Sequence, residues 1–202
     1  MSDITLDKIQ NSDVEDIAML ISSEFMNRQV STIEPESDDG FVYTAQQCVA
    51  SGLGFVAKSD GNIVGGLLCV DLQESFGSEE FIESAKHEPM LAMIYALNQK
   101  YFPSMQVNTG EYLNFKFIAV HEDYSGKGIS QSLIQLALKE AELNGFSYVH
   151  TESAGFASQH IFKKAGLTKR AEIKYDEFTF GGKEYFKPSS EHQSIQLLIA
   201  EL

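Results

Sequence analysis

Residues Phe117–Ser130 read FIAVHEDYSGKGIS, a run that passes from apolar residues, through charge, into two glycines one residue apart. A helical pattern, QSLIQLALKEAEL, follows at once. Ile129, Leu133, Ala137 and Ala141 recur every fourth residue, the spacing of one helix face. The stretch is therefore a strand, a bare turn and a helix start. The start of a helix presents about four N–H groups without intrahelical partners and a partial positive charge, and anions bind there. Gly126 and Gly128 remove side chains where a ligand must touch backbone, and they tolerate the dihedrals that turn successive N–H groups into one hollow. Lys127 adds a positive charge, and Ser130 and Ser132 add hydroxyls. The turn reads as a pyrophosphate cradle, with a purely structural strand-to-helix turn as the competing reading. It is neither a GxxxxGK[ST] loop nor a GxGxxG fingerprint.

Working outward, DITLDKIQ alternates like a short strand. NSDVEDIAMLISSEFMN is a helix opened by Ser12 as cap, with Val14, Ile17, Ala18 and Ile21 at helical spacing. STIEPESDDG is an acidic loop, and FVYTAQQCVASG a shorter helix stopped by Gly52. LGFVAKSDGNIVGGLLCVDL reads as a hairpin turning at SDGN, and Gly65 and Gly66 in its second strand suggest a bulge or a close backbone approach. Residues 73–110 are a mostly helical insertion with a break near Pro89. EYLNFKFIAV is a strand, 126–144 a helix ended by Asn144 and Gly145, FSYVHTES a strand, and AGFASQHIFKKAG a short helix closed by Gly166. LTKRAEIKYDEFTF, GGKEYF and SIQLLIAEL finish with β character. The order β-α-α-β-β-(insertion)-β-α-β-α-β-β predicts a mixed α/β sheet with helices on both faces.

Length and composition bound the rest. At 202 residues the chain suits a single domain over 1–202, and 43% hydrophobic with 22% charged residues is the balance of a soluble globular protein. MSDITLDKIQ has neither the basic nor the apolar segment of a secretory signal, and no run approaches the roughly 18 apolar residues of a membrane span, so a cytoplasmic protein is expected. Cys48 and Cys69 sit far apart in apolar surroundings and read as a reduced pair rather than a disulfide. The net charge of −14 argues against nucleic acid and anionic membranes as partners. It suits a cationic small molecule, with solubility alone as the simpler reading. The five histidines show no HxxxH or HxH spacing, so no metal is expected. Exposed edge strands leave monomer or homodimer open.

The stretch 117–152, followed by SQHIFKKAGL, resembles the GNAT superfamily of acyl-CoA N-acyltransferases. The signature there is a strand ending in Val, a few residues, then [QR]xxGx[GA] opening a helix. Here Val120 ends the strand and Gly128 matches the central glycine; Ser125 stands at the Gln/Arg position and Ser130 at the final Gly/Ala position, both departures. IFKKAGL matches the family's LYxKxGF segment. The motif match covers about residues 111–170, and the earlier part matches in topology. The resemblance implies a GNAT-type mixed central sheet of about seven strands, with helices on both faces and a helical insertion between the third and fourth strands. It also implies acetyl-CoA in a cleft where two parallel strands splay. The pantetheine arm would pair with backbone near Ile118, Ala119 and Val120, and the pyrophosphate would lie on the amides of Ser125, Gly126, Lys127, Gly128, Ile129 and Ser130. The helical insertion, YLNFKFIAV, SQHIFKKAG and a tail with IKYDEF and GGKEYF look like the arylalkylamine N-acetyltransferase-like branch of insects and nematodes. That branch implies acetyl transfer to a primary amine: a catecholamine, an indoleamine or a polyamine. Acetylation of a protein amine or an aminoglycoside is the second enzyme reading, and a catalytically silent acyl-CoA-binding module the third.

An amine must lose a proton to attack a thioester, and the leaving thiolate gains from receiving one. The branch expects a glutamate just after the first helix. Setting NRQVST against it puts Gln29 there, and Gln cannot act as a base. The candidates left are Glu24 or Glu34, or water with another residue. Strand alternation puts Asn114, Lys116 and Ile118 on the side of Val120, at positions where relatives often carry Glu or His. Glu111 and Glu152 are further carboxylates. For the acid, many members use a Tyr where this chain has Phe162, which cannot donate; the resemblance sets Phe162 beside the cofactor, and its plainer role is core packing. Ser158, one helical turn earlier, shares that face and is the expected proton donor, with a coenzyme A contact as its alternative. Ser153 stands beside the position of the branch's second serine and is placed near the cofactor. His150 and His160 bracket the presumed cleft and receive no role.

Overall fold

A computed structural model describes residues 4–26, 39–76, 78–190 and 192–202. The elements are β1 (Ile4–Lys8), α1 (Val14–Met26), α2 (Asp39–Ser51), β2 (Gly54–Ser59), β3 (Asn62–Asp71), α3 (Leu72–Ser75), α4 (Glu79–Ser84) and α5 (Pro89–Gln99). They continue with β4 (Tyr112–Val120), α6 (Ile129–Leu143), β5 (Tyr148–Ser153), α7 (Phe156–Lys164), β6 (Thr168–Lys174) and β7 (Ser194–Glu201). The seven strands form one mixed sheet in the order β1-β2-β3-β4-β5-β7-β6. The β4–β5 pair is parallel, and the β1–β2, β2–β3, β5–β7 and β6–β7 pairs are antiparallel. The helices α3 to α5 fill the connection between β3 and β4, as expected.

The described residues up to Val70, with Phe115–Asn144, make one compact unit; Asp71–Asn114 and Gly145–Leu202 make the other. In the first unit the hairpin of β2 and β3 turns through Asp60 and Gly61, both left-handed at φ 50° and 82°, which is the type I′ geometry that matches strand twist. The two glycines of β3 are explained by what a side chain there would strike. A Cβ on Gly66 would lie 2.2 Å from Ile17 Cδ1 of α1, and one on Gly65 would lie 3.0 Å from Ile129 Cγ2 of α6. Consecutive strand residues face opposite sides, so these contacts place α1 and α6 on opposite faces of the sheet. A register shift between Ala57 and Lys58, opposite Gly65 and Ile63, supplies the bulge as well. On α6 the residues Ile129, Leu133, Ile134, Ala137 and Ala141 are buried, the face read from the sequence plus one neighbour.

The second unit is built on an apolar cluster that joins α5 (Met93, Leu97) to β7 (Ile195, Leu197, Ile199), with Tyr112, Ile173, Tyr175 and Phe186. Asp71 fastens the insertion at both ends. Its carboxylate accepts the Gln73 N–H at 3.0 Å, capping α3, and the Gly110 N–H at 2.6 Å, just before β4. Pro89 opens α5 at its first position, where the missing N–H breaks no helical bond.

Three local expectations are corrected. Ser12 does not cap α1: a 3-10 turn over Asn11–Asp13 precedes the helix. The Asp13 carboxylate instead accepts the Gln10 N–H at 3.0 Å and pairs with Lys58 at 2.7 Å. The helix expected over 126–144 starts only at Ile129, because Gly126 and Gly128 both take left-handed backbone. GGKEYF is not a strand. Gly181 and Gly182 turn left-handed between a single bridge of Phe180 and Lys183, and Phe186 leaves to stack on Tyr175 in the core. The place beside β5 is taken by β7.

Candidate active site

In the first unit the sheet delivers β4 to Val120, and the chain then winds through a 3-10 turn, Glu122–Tyr124, into the glycine turn. Turn bonding accounts for the Tyr124 N–H (to His121 O) and the Ser125 N–H (to Glu122 O), so the Ser125 amide expected on the pyrophosphate is already committed to the turn; helical bonding starts with the Ser132 N–H donating to Gly128 O at 3.1 Å. The amides of Gly126 to Ser130 fall between those two systems, and a helix's own first N–H groups have no partner inside it. Gly126 has φ +75°, and Gly128, which caps α6 without a side-chain bond, has φ +81° and ψ 4°. A Cβ at either glycine would meet nothing within 4 Å. Packing therefore does not require glycine here; the left-handed backbone and an open hollow do. Lys127 lies over the Tyr124 ring, its Nζ 4.2 Å from the centroid, so the charge is held beside the turn. Gly65 is what lets Ile129 sit down on β3, and the turn is aimed by that contact.

Other expected residues of this unit are placed as follows. Ala119 is buried and packs, with Phe117, into the cluster of α1 and α2; Ile118 and Val120 are half-buried, and Val120 faces Gly65 beside Ile129. Ser125 is exposed and Ser130 half-buried. Glu24 is buried on the last turn of α1, next to Phe25, which forms an edge-to-face group with Phe41 and Phe117. Lys116 lies near the Phe117 ring. Gln29 and Glu34 lie outside the described residues.

In the second unit, Asn114 is the last β4 residue in register with β5, opposite His150. Asn114 is buried and its Oδ1 has no partner among the described residues, which is also true of Ser153 Oγ on β5. Ser158 is half-buried on the first turn of α7; its hydroxyl donates to Gly155 O at 3.0 Å and receives the Gly155 N–H at 3.4 Å. Phe162 is buried in the core. Glu111 accepts from the backbone and side chain of Asn108, so it holds a loop. Glu152 is tied to Asn98 of α5 at 2.7 Å, and Asn98 Oδ1 lies 2.9 Å from Nε2 of the wholly buried His150. Sequence reading missed this network. Asn98 and His150 are 52 residues apart on different elements, and no spacing links them. Among the described residues no group of three or more His, Cys, Asp or Glu side chains is arranged to hold a metal, and no helix is long and apolar enough to cross a membrane. Cys48 Sγ donates to Cys69 O at 3.1 Å; burial, and then the neighbouring Cys48, push the Cys69 thiol well above its ordinary range.

The model of the acetyltransferase (GNAT) family matches residues 20–167, which take in β2 to α7 and the whole glycine turn. The chain belongs to the GNAT family. Its fold is shared by the polyamine N-acetyltransferase of Drosophila melanogaster, an enzyme that catalyses the formation of N-acetylagmatine: TM-score 0.81, 17% identity, covering 99% of this chain and 100% of that one. A mosquito arylalkylamine N-acetyltransferase-like protein superposes with TM-score 0.84 at 16% identity over 99% of this chain and 100% of that one. A Salmonella typhimurium protein solved with its cofactor acetyl-CoA gives TM-score 0.62 at 12% identity, covering 99% of this chain and 94% of that one. At such identities the likeness is one of fold. For this GNAT chain the family brings acetyl transfer from acetyl-CoA, and the glycine turn gives the backbone on which to test it.

Proposed function

We propose that this protein is an acetyl-CoA-dependent N-acetyltransferase whose acceptor is the primary amine of a small molecule of the arylalkylamine or polyamine class. One observation carries the reading: two left-handed glycines with open space where their Cβ atoms would be, at the mouth of α6. In this reading the amides of Gly126 to Ser130 hold the pyrophosphate, helped by Lys127, and the β4 backbone at Ile118–Val120 pairs with the pantetheine arm. Such a site suits a diphosphate because its donors are already fixed and no side chain must be ordered on binding. The net charge of −14 favours encounter with a cationic acceptor. Acceptors named for proteins of the same fold, agmatine among them, set the first panel. Ser158 is the hydroxyl proposed to protonate the leaving thiolate, since Phe162 has none to give.

The test is free-thiol release from acetyl-CoA by purified protein with tryptamine, dopamine, spermidine, agmatine and a lysine peptide. Thiol release with one or more of the small amines, and acetylated amine found by mass spectrometry, is the expected result. Release with the peptide alone would redirect the reading to protein acetylation. Tight acetyl-CoA binding with no release for any acceptor would make the chain a binding module.

A further inference from the structure

The loop that carries the glycine turn has one lysine and two carboxylates. From His121 to Ser132 the chain holds Lys127 and no other Lys or Arg, with Glu122 and Asp123 close by in sequence. An exposed ammonium on a flexible stem would ordinarily pair with one of them. It does not: Lys127 makes no ion pair among the described residues, and its Nζ sits over the Tyr124 ring, 4.2 Å from the centroid. Asp123 stays on the His121 side. Its N–H donates to His121 Nδ1 at 3.3 Å, and its Oδ2 lies 3.8 Å from the same nitrogen. The ring is fixed in turn. The Tyr124 N–H donates to His121 O at 2.9 Å, and the half-buried ring stands edge-on to the imidazole, centroids 6.2 Å apart at 85°. A carboxylate and a ring face hold an ammonium with opposite consequences. The carboxylate cancels the charge, and a phosphate must displace it. The ring attracts the cation through its quadrupole and has no net charge, so the field toward a nearby anion survives.

We propose that Tyr124 is a positioning residue for the diphosphate of the cosubstrate: its ring holds the Lys127 ammonium beside the turn without neutralising it, and keeps it from Glu122 and Asp123. This rests on the reading of the glycine turn as the pyrophosphate cradle. The amides of Gly126 to Ser130 supply directed donors, Lys127 supplies charge, and Tyr124 decides where that charge stands. Every member belongs to one stretch of the first unit, between the end of β4 and the start of α6. The ring face does the holding and the phenol hydroxyl has no part in it. At an exposed site such a contact favours the held position about two- to fivefold. That biases a flexible side chain and leaves it free to turn to a phosphate. The effect is on binding alone, with no bond made or broken.

The test is calorimetric titration with acetyl-CoA, with inorganic pyrophosphate as competitor, joined to one spectrum of the unaltered protein. Lys127→Met should weaken acetyl-CoA about tenfold at low salt, the low end for losing a hydrogen bond to a charged group. Tyr124→Leu should weaken it about two- to fivefold, and Tyr124→Phe, which keeps the ring face, should restore the unaltered affinity. The double variant Lys127→Met with Tyr124→Leu should bind as Lys127→Met alone does. Raising the salt concentration should narrow the gap between Tyr124→Leu and the unaltered protein, because screening shortens the reach of the charge. In the proton spectrum of the unaltered protein the Lys127 methylene next to Nζ should be shifted upfield by the ring above which it lies. Absence of that shift overturns the proposal even if no variant folds. A Tyr124→Leu loss of the same size in the Lys127→Met background also overturns it, because the ring then shapes the turn and does not act through the lysine. A loss in Tyr124→Phe equal to that in Tyr124→Leu would move the effect to the hydroxyl and do the same. If pyrophosphate does not compete with acetyl-CoA on the unaltered protein, the cradle reading falls and takes this one with it. Competition together with full affinity in Tyr124→Leu sinks the tyrosine alone.

Discussion

The glycine turn of the first unit and the Asn98–His150–Glu152 group of the second are two ways to fix a local geometry. The turn is made of backbone: Gly126 and Gly128 supply dihedrals, Gly126 to Ser130 supply amides, and no side chain is needed for the geometry. The histidine group is made of side chains from α5 and β5, each holding the next at 2.7–2.9 Å under complete burial of the ring. A backbone site is rigid and does not titrate at ordinary pH. A buried side-chain network can titrate, and it depends on every neighbour being right.

The largest effect should come from Gly128→Asp. A non-glycine residue at φ +81° costs about 1–2 kcal/mol, and the carboxylate would stand where the phosphate charge belongs. Acetyl-CoA affinity should fall at least about a hundredfold, read by calorimetric titration. Gly145→Asp is the control, since Gly145 is equally left-handed at +80° with equal open space and closes the far end of α6. It should lower stability and leave affinity alone. Retained affinity in Gly128→Asp would refute the turn assignment.

Ser158→Ala comes next and probes the side-chain half. If the hydroxyl protonates the thiolate, kcat should drop roughly a hundredfold, the low end for a positioned acid, with the KM for acetyl-CoA unchanged. Loss of its bonds to Gly155 should also cost about 0.5–2 kcal/mol of stability, as losing a helix cap does. Turnover equal to the unaltered protein across pH would leave Ser158 as a cap and nothing more.

Smaller still is the pair Gly66→Ala and Gly65→Ala. The first drives a Cβ to 2.2 Å from Ile17 Cδ1 and should destabilise by about 1–3 kcal/mol in denaturant unfolding. The second meets Ile129 at 3.0 Å and should cost less stability. It should nevertheless weaken acetyl-CoA binding, because Ile129 seats the turn. Equal affinity in both variants would separate the turn from its support on β3.

The same contrast explains what the sequence could reveal. The α6 face was readable because Ile129, Leu133, Ala137 and Ala141 share a period, and the turn because left-handed backbone asks for glycine. The doubled glycine of β3 was legible as a close approach, but not which helix each residue faces. That depends on which helix packs on which face of the sheet, and the local pattern does not say. The cap of α1 was misread because Asp13 is committed to Lys58, 45 residues away. GGKEYF was misread because β propensity does not say whether a place in the ladder is free. The fate of Asn98 was beyond local reading altogether: on α5 it stands among Met93, Ile94 and Leu97 as one polar residue near an apolar face. Only the fold brings it to His150.

The smallest effect separates the two halves by pH. In the unfolded chain His150 titrates near 6.5, while in the fold burial lowers its pKa, with Glu152 opposing. Between those two values the unfolded chain binds more protons, so the contribution is complete above about pH 6.5 and is lost as pH falls toward the folded value, by at most about 1.4 kcal/mol per pH unit. Glu172 answers in a lower window. Its partial burial alone would raise its pKa, but hydrogen bonds from Lys169, Ser194 and Gln196 and the Lys169 charge bring it from 4.5 to about 2. Its contribution therefore persists until pH falls below about 4.5. Urea midpoints at pH 7.5 and 5.5 fall above the Glu172 window and on either side of the histidine's upper limit. The unaltered protein should lose more stability across that step than His150→Gln does. Acetyl-CoA affinity at the glycine turn should change little over the same range, because backbone amides hold the phosphates. An equal loss of stability in both proteins would mean that the buried imidazole is not what answers to acid, and the contrast between a silent backbone turn and a titrating buried network would lose its second member.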